Sequence, residues 1–202
     1  TLDSTGISPV GTVVLLKRNP GTVASFATAN PKYTATGLTS FSDFALGQLP
    51  TPTTVFVSPT GSDVTGDGTS GNPFLTIQRG INVVADSGAV NVAAGIATES
   101  ISLGKNVTLT GTGTLPLQKI TLTSAIALRL GSNMQVSDTL NIASGSVLIG
   151  SHTLILNGAV SVTSGSLVGG GTSSITIGGT AATLTLPPVV LDTLVLNRAN
   201  GL

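Results

Sequence analysis

Apolar and polar residues alternate in short runs along most of this chain, and the runs recur about every twenty residues. Thr139–Gly150 reads TLNIASGSVLIG and Ala159–Gly170 reads AVSVTSGSLVGG, in register at an offset of 20 with no gap. One step earlier, Lys119–Leu130 reads KITLTSAIALRL. The apolar pairs Ile120/Leu122, Leu140/Ile142 and Val160/Val162 line up, and Ser124, Ser144 and Ser164 follow them. Ile101/Leu103 fits one coil earlier with a one-residue slip. A second ladder reads Leu115/Leu117, Met134/Val136, Leu154/Leu156, Ile175/Ile177 and Leu194/Leu196, with steps of 19, 20, 21 and 19. A third, looser ladder is Leu128, Leu148 and Val168. Period-two alternation marks half-buried strands. Each period therefore predicts three short strands separated by Gly-, Ser- and Asn-rich corners.

Such strands can build a sandwich or a solenoid. The coherent step decides for a solenoid, in which each coil stacks on the next and like side chains lie about 4.8 Å apart. Inward positions become aliphatic stacks. Outward positions on the same strands are polar, as at Thr121, Asn141, Ser161, Gln135 and Arg129. Two prolines interrupt the scheme. Pro116 sits inside a rung, where it removes a ladder donor, and Pro187-Pro188 forces a longer corner.

The open end of a solenoid is a row of unpaired backbone groups and needs a cap. Asn72–Ala85 (NPFLTIQRGINVVA) fits that role. Ile77, Ile81 and Val84 fall at helical spacing, Thr76 is placed as N-cap, and Asp86-Ser87-Gly88 ends the helix. The expected organisation is an N-terminal β-segment over residues 1–49, a linker over 50–54, a strand and capping helix over 55–88, and coils over 89–202. The first segment breaks the period and carries Phe26, Tyr33, Phe41 and Phe44. Val13–Lys17, Val23–Ala29 and Phe41–Leu46 read as its strands, with turns at Asn19-Pro20-Gly21 and Asn30-Pro31. A piece this small is marginal alone. Either it packs on the solenoid or belongs to a larger sandwich, or its strands complete a neighbouring subunit's sheet.

Composition removes several function classes. The 202 residues carry eight basic and eight acidic side chains, 8% charged against about 25% in ordinary domains. Without a basic stripe there is no expected nucleic-acid partner. There is no cysteine, hence no disulfide framework or thiolate chemistry. The single histidine, His152, excludes multi-histidine metal sites. No apolar run approaches a membrane span. Low charge with 40% apolar residues is the reverse of a disordered composition.

Val55–Gly95 carries a resemblance. A strand ends in Ser58-Pro59-Thr60-Gly61-Ser62-Asp63, a Gly66-Asp67-Gly68 turn and Asn72-Pro73-Phe74 follow, and after the capping helix come Val90-Asn91-Val92 and Ala94-Gly95. This pattern resembles the opening of right-handed parallel β-helix proteins, the pectate-lyase-like group. The family usually continues Thr-Tyr-x-Glu, and Ile96-Ala97-Thr98-Glu99 lacks the Tyr. The repeats, with Leu154–Val160 and Thr193–Leu202, resemble Gly/Thr-rich repeats of secreted surface proteins of Bacteroidetes-type bacteria, and Gly37–Gly47 resembles the closing strands of the β-sandwich modules that precede them. The resemblance implies an extracellular location, and a polypeptide or assembly that continues past Leu202.

Candidate chemistry is sparse. Asp63 and Asp67, four apart in a Gly-rich loop, are weak calcium candidates, because calcium wants six to eight oxygens and the EF-hand spacing is missing. A polar turn explains them as well. The resemblance raises polysaccharide cleavage, yet Lys105, Lys119, Arg129, Asp138 and Asp192 share no 20-residue register, and fold alone does not warrant function. The expectation is therefore an all-β, right-handed parallel β-helix acting without catalysis or cofactor. It would serve as a structural protein of the cell surface, a filament or stalk protomer whose partners are its own copies or neighbouring surface modules. An adhesin fragment with binding loops elsewhere is the alternative, and a lyase-like enzyme the third. The expected self-association set is Val13, Val14, Leu15, Leu16, Phe41, Phe44 and Leu46 at one end, with Leu194 and Leu196 at the other.

Overall fold

The computed structural model describes the five strands of the N-terminal unit named below and residues 51–198, apart from 97 and 181–183. The chain divides into two units, Thr1–Thr51 and Pro52–Leu202.

In the first unit, β1 (Val13–Lys17) lies between β2 (Val23–Ala24) and β5 (Phe44–Gln48), antiparallel to both. β3 (Phe26–Ala29) and β4 (Lys32–Ala35) form a separate antiparallel hairpin. Three details differ from the expectation. The expected strand Val23–Ala29 is split, with β2 paired to β1 and β3 to β4. Lys32–Ala35 is an additional strand, paired antiparallel with β3. The last strand is shifted to Phe44–Gln48, where it finds a full partner in β1. Phe41 lies outside the described residues.

The second unit is a parallel β-solenoid of about 5 turns with roughly 20 residues per turn and one short helix. It begins with β6 (Thr54–Val57), α1 (Ile77–Val83), β7 (Gly88–Val92), β8 (Glu99–Leu103) and β9 (Val107–Gly111). Next come β10 (Leu115–Leu122), β11 (Ala127–Leu130), β12 (Met134–Ile142), β13 (Ser146–Leu148) and β14 (Thr153–Leu156). β15 (Ala159–Val162), β16 (Ser166–Val168), β17 (Ser174–Ile177) and β18 (Thr193–Leu196) complete it. One sheet runs β6-β7-β9-β11-β13-β16; the other runs β8-β10-β12-β14-β17-β18, with β15 beside β12. β10 and β12 each serve two faces. A register irregularity between Leu117 and Lys119 turns them round a corner.

The core consists of vertical aliphatic stacks. Leu115, Met134, Leu154, Ile175 and Leu194 are successive partners, as are Ile101, Ile120, Leu140 and Val160. All but the terminal Val160 and Leu194 are buried. Full burial of each such side chain stabilises by about 1.5–3 kcal/mol. Both ladders thus stand as read from the sequence.

The third ladder requires correction. Leu128, Val147 and Leu167 stack in succession, whereas Arg129, Leu148 and Val168 are successive partners on the outward side. The corner over 143–145 is one residue shorter than that over 123–126, and a one-residue slip exchanges the two faces. Gly145 permits the shorter corner. Its φ is +84°, and a Cβ there would lie 2.2 Å from the Ile126 carbonyl oxygen.

Pro116 is accommodated at a sheet edge. Leu115 donates its N–H to Asn133, toward the following coil. By alternation, residue 116 faces the preceding coil, where β8 pairs with β10 only from Leu117 onward. After Ile177 the Pro187-Pro188 segment carries no strand, but Leu184, Leu186, Val189 and Leu191 still pack against the core.

Candidate functional site

At the N-terminal end of the solenoid the chain covers its own edge. Phe56 of β6 donates to Gly68 O at 2.8 Å, accepts from Phe74 N at 3.0 Å, and Ser58 N reaches Phe74 O at 2.9 Å. Helix α1 lies across the same end with Ile77, Gly80 and Ile81 buried. Thr76 is its N-cap as the sequence predicted, accepting from Arg79 N, although the helix is shorter than Asn72–Ala85.

Three side chains tie α1 to the first coil and a fourth, Asp63, ties its start to the cap loop; sequence reasoning assigned none of them to the cap. Glu99 accepts from Ile77 N, and from Gln78 N at 3.2 Å. Gln78 in turn satisfies both backbone groups of Ser102 in β8. Lys105 donates to the carbonyls of Asn82 and Val84 at 3.1 and 2.8 Å, closing the helix C-terminus. Asp63 accepts from Leu75 N at 2.8 Å, Thr76 N at 3.1 Å and Thr76 Oγ1 at 2.7 Å. The legible signal was the Glu of the family pattern, present here as Glu99; the other three partners are 13 to 24 residues apart in sequence.

These contacts set the electrostatics. Burial works to raise the Asp63 carboxyl, but its bonds from Thr76 and Leu75, aided by Arg79, hold it below the usual carboxylate value. Asp67 is held low by the Thr69 amide and hydroxyl, at 2.9 and 2.7 Å. Glu99 moves the other way. Burial raises it beyond what the Ile77 and Gln78 amides offset, and the charge of Asp63 adds to the rise. Both weak calcium candidates thus spend oxygen lone pairs on their own loop. Among the described residues no group of three His, Asp or Glu side chains could hold a metal.

The charged residues of the coils are spread out. Lys105 is engaged at the helix, Arg129 is on the outward face of β11, Lys119 is on β10, and Asp138 and Asp192 are exposed. His152 lies partly exposed in the corner before β14. A groove of about 670 Å³ runs between the cap loop and the first coils, lined by Phe56, Ser58, Thr60, Asn72, Asn91 and Thr110 among others.

At the C-terminal end β18 is the last strand of its sheet. Its inner edge pairs with β17, with Ile175 opposite Leu194 and Ile177 opposite Leu196. Asn197 and Thr193 turn their N–H groups to β17. By alternation, Leu194 and Leu196 turn theirs to the outer edge, which no described residue pairs. Leu194, Val195 and Leu196 are 50%, 43% and 47% exposed, and nearby Val190 is 73% exposed. In the first unit, the structure brings Val13, Val14, Leu15 and Leu16 together with Phe44 and Leu46 as neighbouring strands, Leu15 opposite Leu46. Among the described strands, β1 is paired on both sides and β5 lies at the edge.

No protein-family model matches this chain, and neither a curated protein nor a solved structure does.

Proposed function

We propose that this protein is a non-catalytic structural component of the extracellular surface, a protomer that associates head to tail into a filament or stalk. The observation that carries the reading is the stacked solenoid, two continuous parallel sheets around aliphatic columns. Soluble proteins normally protect open sheet edges with charge, proline or a covering element. The N-terminal end shows that protection, in the cap loop and α1. The aliphatic stacks and continuous parallel ladders suit a load-bearing stalk. In this reading the chain is a secreted surface protein of the right-handed, pectate-lyase-like β-helix kind, with Bacteroidetes-type repeats. Negative-stain electron microscopy at neutral pH without added metal tests it. Fibres with a regular axial repeat are the expected result, and single particles at all concentrations overturn it.

The groove beside Phe56 favours a second reading, an adhesin-type binding module. A chain that stays monomeric until a ligand is supplied would favour that reading over the filament.

A further inference from the structure

Resting on the adhesin-type reading and deepening it, we infer that the groove beside Phe56 binds a neutral saccharide, with the Phe56 ring as platform and Asn91 and Thr110 as hydrogen-bonding floor. The groove holds about 670 Å³, within the range of small-ligand sites. Three adjacent strands make its floor: Phe56 of β6 pairs with Asn91 of β7, and Asn91 with Thr110 of β9. Strand spacing sets these side chains over a span of about 10 Å. Each alternates with buried neighbours along its strand and so faces away from the core.

Phe56 is the unusual member of this face. Residues 52–202 contain two aromatic side chains, Phe56 and Phe74. Phe74 is buried in the core. Phe56 is partly exposed at an outward position that is polar on the next two rungs. Its backbone is held by Gly68 O and Phe74 N, so the ring stands on a fixed strand. The rim is held too. Asn72 Nδ2 donates to Thr65 O at 2.9 Å, and the hydroxyls of Ser58 and Thr60 are hydrogen-bonded at 3.0 Å. A site ordered before its ligand arrives loses less entropy on binding.

The lining selects the ligand class. Among the described residues, none that lines the groove is charged. The charges of loop 58–74 are Asp63 and Asp67, whose oxygens accept from Leu75, Thr76 and Thr69. An ionic ligand would lose its hydration there without a counter-charge. A wholly apolar ligand would leave the amide and hydroxyl groups without partners. A peptide strand finds no edge to join, because Gly68 and Phe74 already bond the outer edge of β6. A sugar ring suits both halves of the lining. Its C–H face lies on the apolar ring, and its hydroxyls exchange hydrogen bonds with Asn91, Thr110 and the rim.

Isothermal titration calorimetry of the full chain tests this. The neutral probes are cellohexaose, maltohexaose, mannohexaose, xylohexaose and N-acetylchitohexaose; the charged probes are hexagalacturonate and the glucosamine hexamer. At least one neutral probe is expected to bind. Phe56→Leu removes the ring and keeps apolar bulk, and Asn91→Ala removes the amide; each should weaken binding about three- to tenfold. Thr176→Ala, on the outward side of β17, should leave it unchanged. Thermal melts of the same variants separate a lost contact from a lost fold. Neutral binding that both groove variants leave unchanged overturns the site. Binding of a charged probe alone overturns the neutral class, and if Phe56→Leu weakens it the adhesin-type reading stands. Silence of the whole panel overturns this inference, and the adhesin-type reading falls with it if the chain also forms fibres without ligand.

Discussion

The carboxamide of Gln78 stands in for a β-strand opposite Ser102. Its Oε1 accepts from Ser102 N at 2.8 Å and its Nε2 donates to Ser102 O at 3.1 Å. An edge strand is thereby satisfied by a helix side chain, which fixes α1 to β8 and withdraws these groups from any incoming strand. Gln78→Ala should leave both backbone groups to water and cost about 1–2 kcal/mol. A thermal melt beside Gln78→Glu, which keeps the acceptor and removes the donor, checks this. The glutamate variant should fall between the alanine variant and the parent.

The carboxylates of the cap make opposite contributions to acid stability. Asp63 and Asp67 are held low, so their contribution is present above the unfolded value of about 3.9 and is lost as pH falls through the folded values. Glu99 is raised, so its contribution grows as pH falls through its folded value and is complete below the unfolded one. Asp63→Asn should destabilise at pH 7 and flatten the acid limb of a stability–pH curve. Glu99→Gln keeps an acceptor for Ile77 and Gln78, so it should sit close to the parent at pH 7. Glu99→Ala should cost about 1–3 kcal/mol by leaving those amides unpaired. Equal losses for the glutamine and alanine variants would contradict this account.

Gly80 lies in α1 where alanine would ordinarily gain about 1 kcal/mol in helix propensity. Contact decides otherwise. A Cβ there would lie 2.9 Å from Val90 Cγ1 and 3.0 Å from Val57 Cγ2. Overpacking of this kind costs about 1–3 kcal/mol, so Gly80→Ala should lower the melting temperature. A rise would mean that the helix sits further from the first rungs.

The short corner at Gly145 sets which of two adjacent residues is core. Val147→Asp should abolish the cooperative transition, because it buries a charge between Leu128 and Leu167. Leu148→Ser, on the outward side, should change stability by less than about 0.5 kcal/mol. Circular dichroism melts of the two variants measure the contrast, and the reverse order would restore the ladder expected from sequence alone.

Much of the solenoid was legible because its information is periodic. The pairs from Leu115/Leu117 to Leu194/Leu196 fix register over five coils, since stacked coils place like residues one above another. Thr76 and the apolar spacing of Ile77 and Ile81 likewise announced a helix. In the first unit β1 matched its expected span, but Lys32–Ala35 was missed, because four residues with one aromatic carry little periodic signal.

What the sequence by itself determined is therefore the repeating architecture, since alternation and step are local properties repeated often enough to exclude other folds. Only the tertiary structure decided what happens at corners and ends. Whether Val147 or Leu148 points inward depends on one residue of corner length. That Asp63 and Glu99 serve one helix, and that Gln78 completes β8, depends on segments 13 to 24 residues apart meeting in space. Such contacts have no period. They arise where the stack begins and unpaired backbone must find partners.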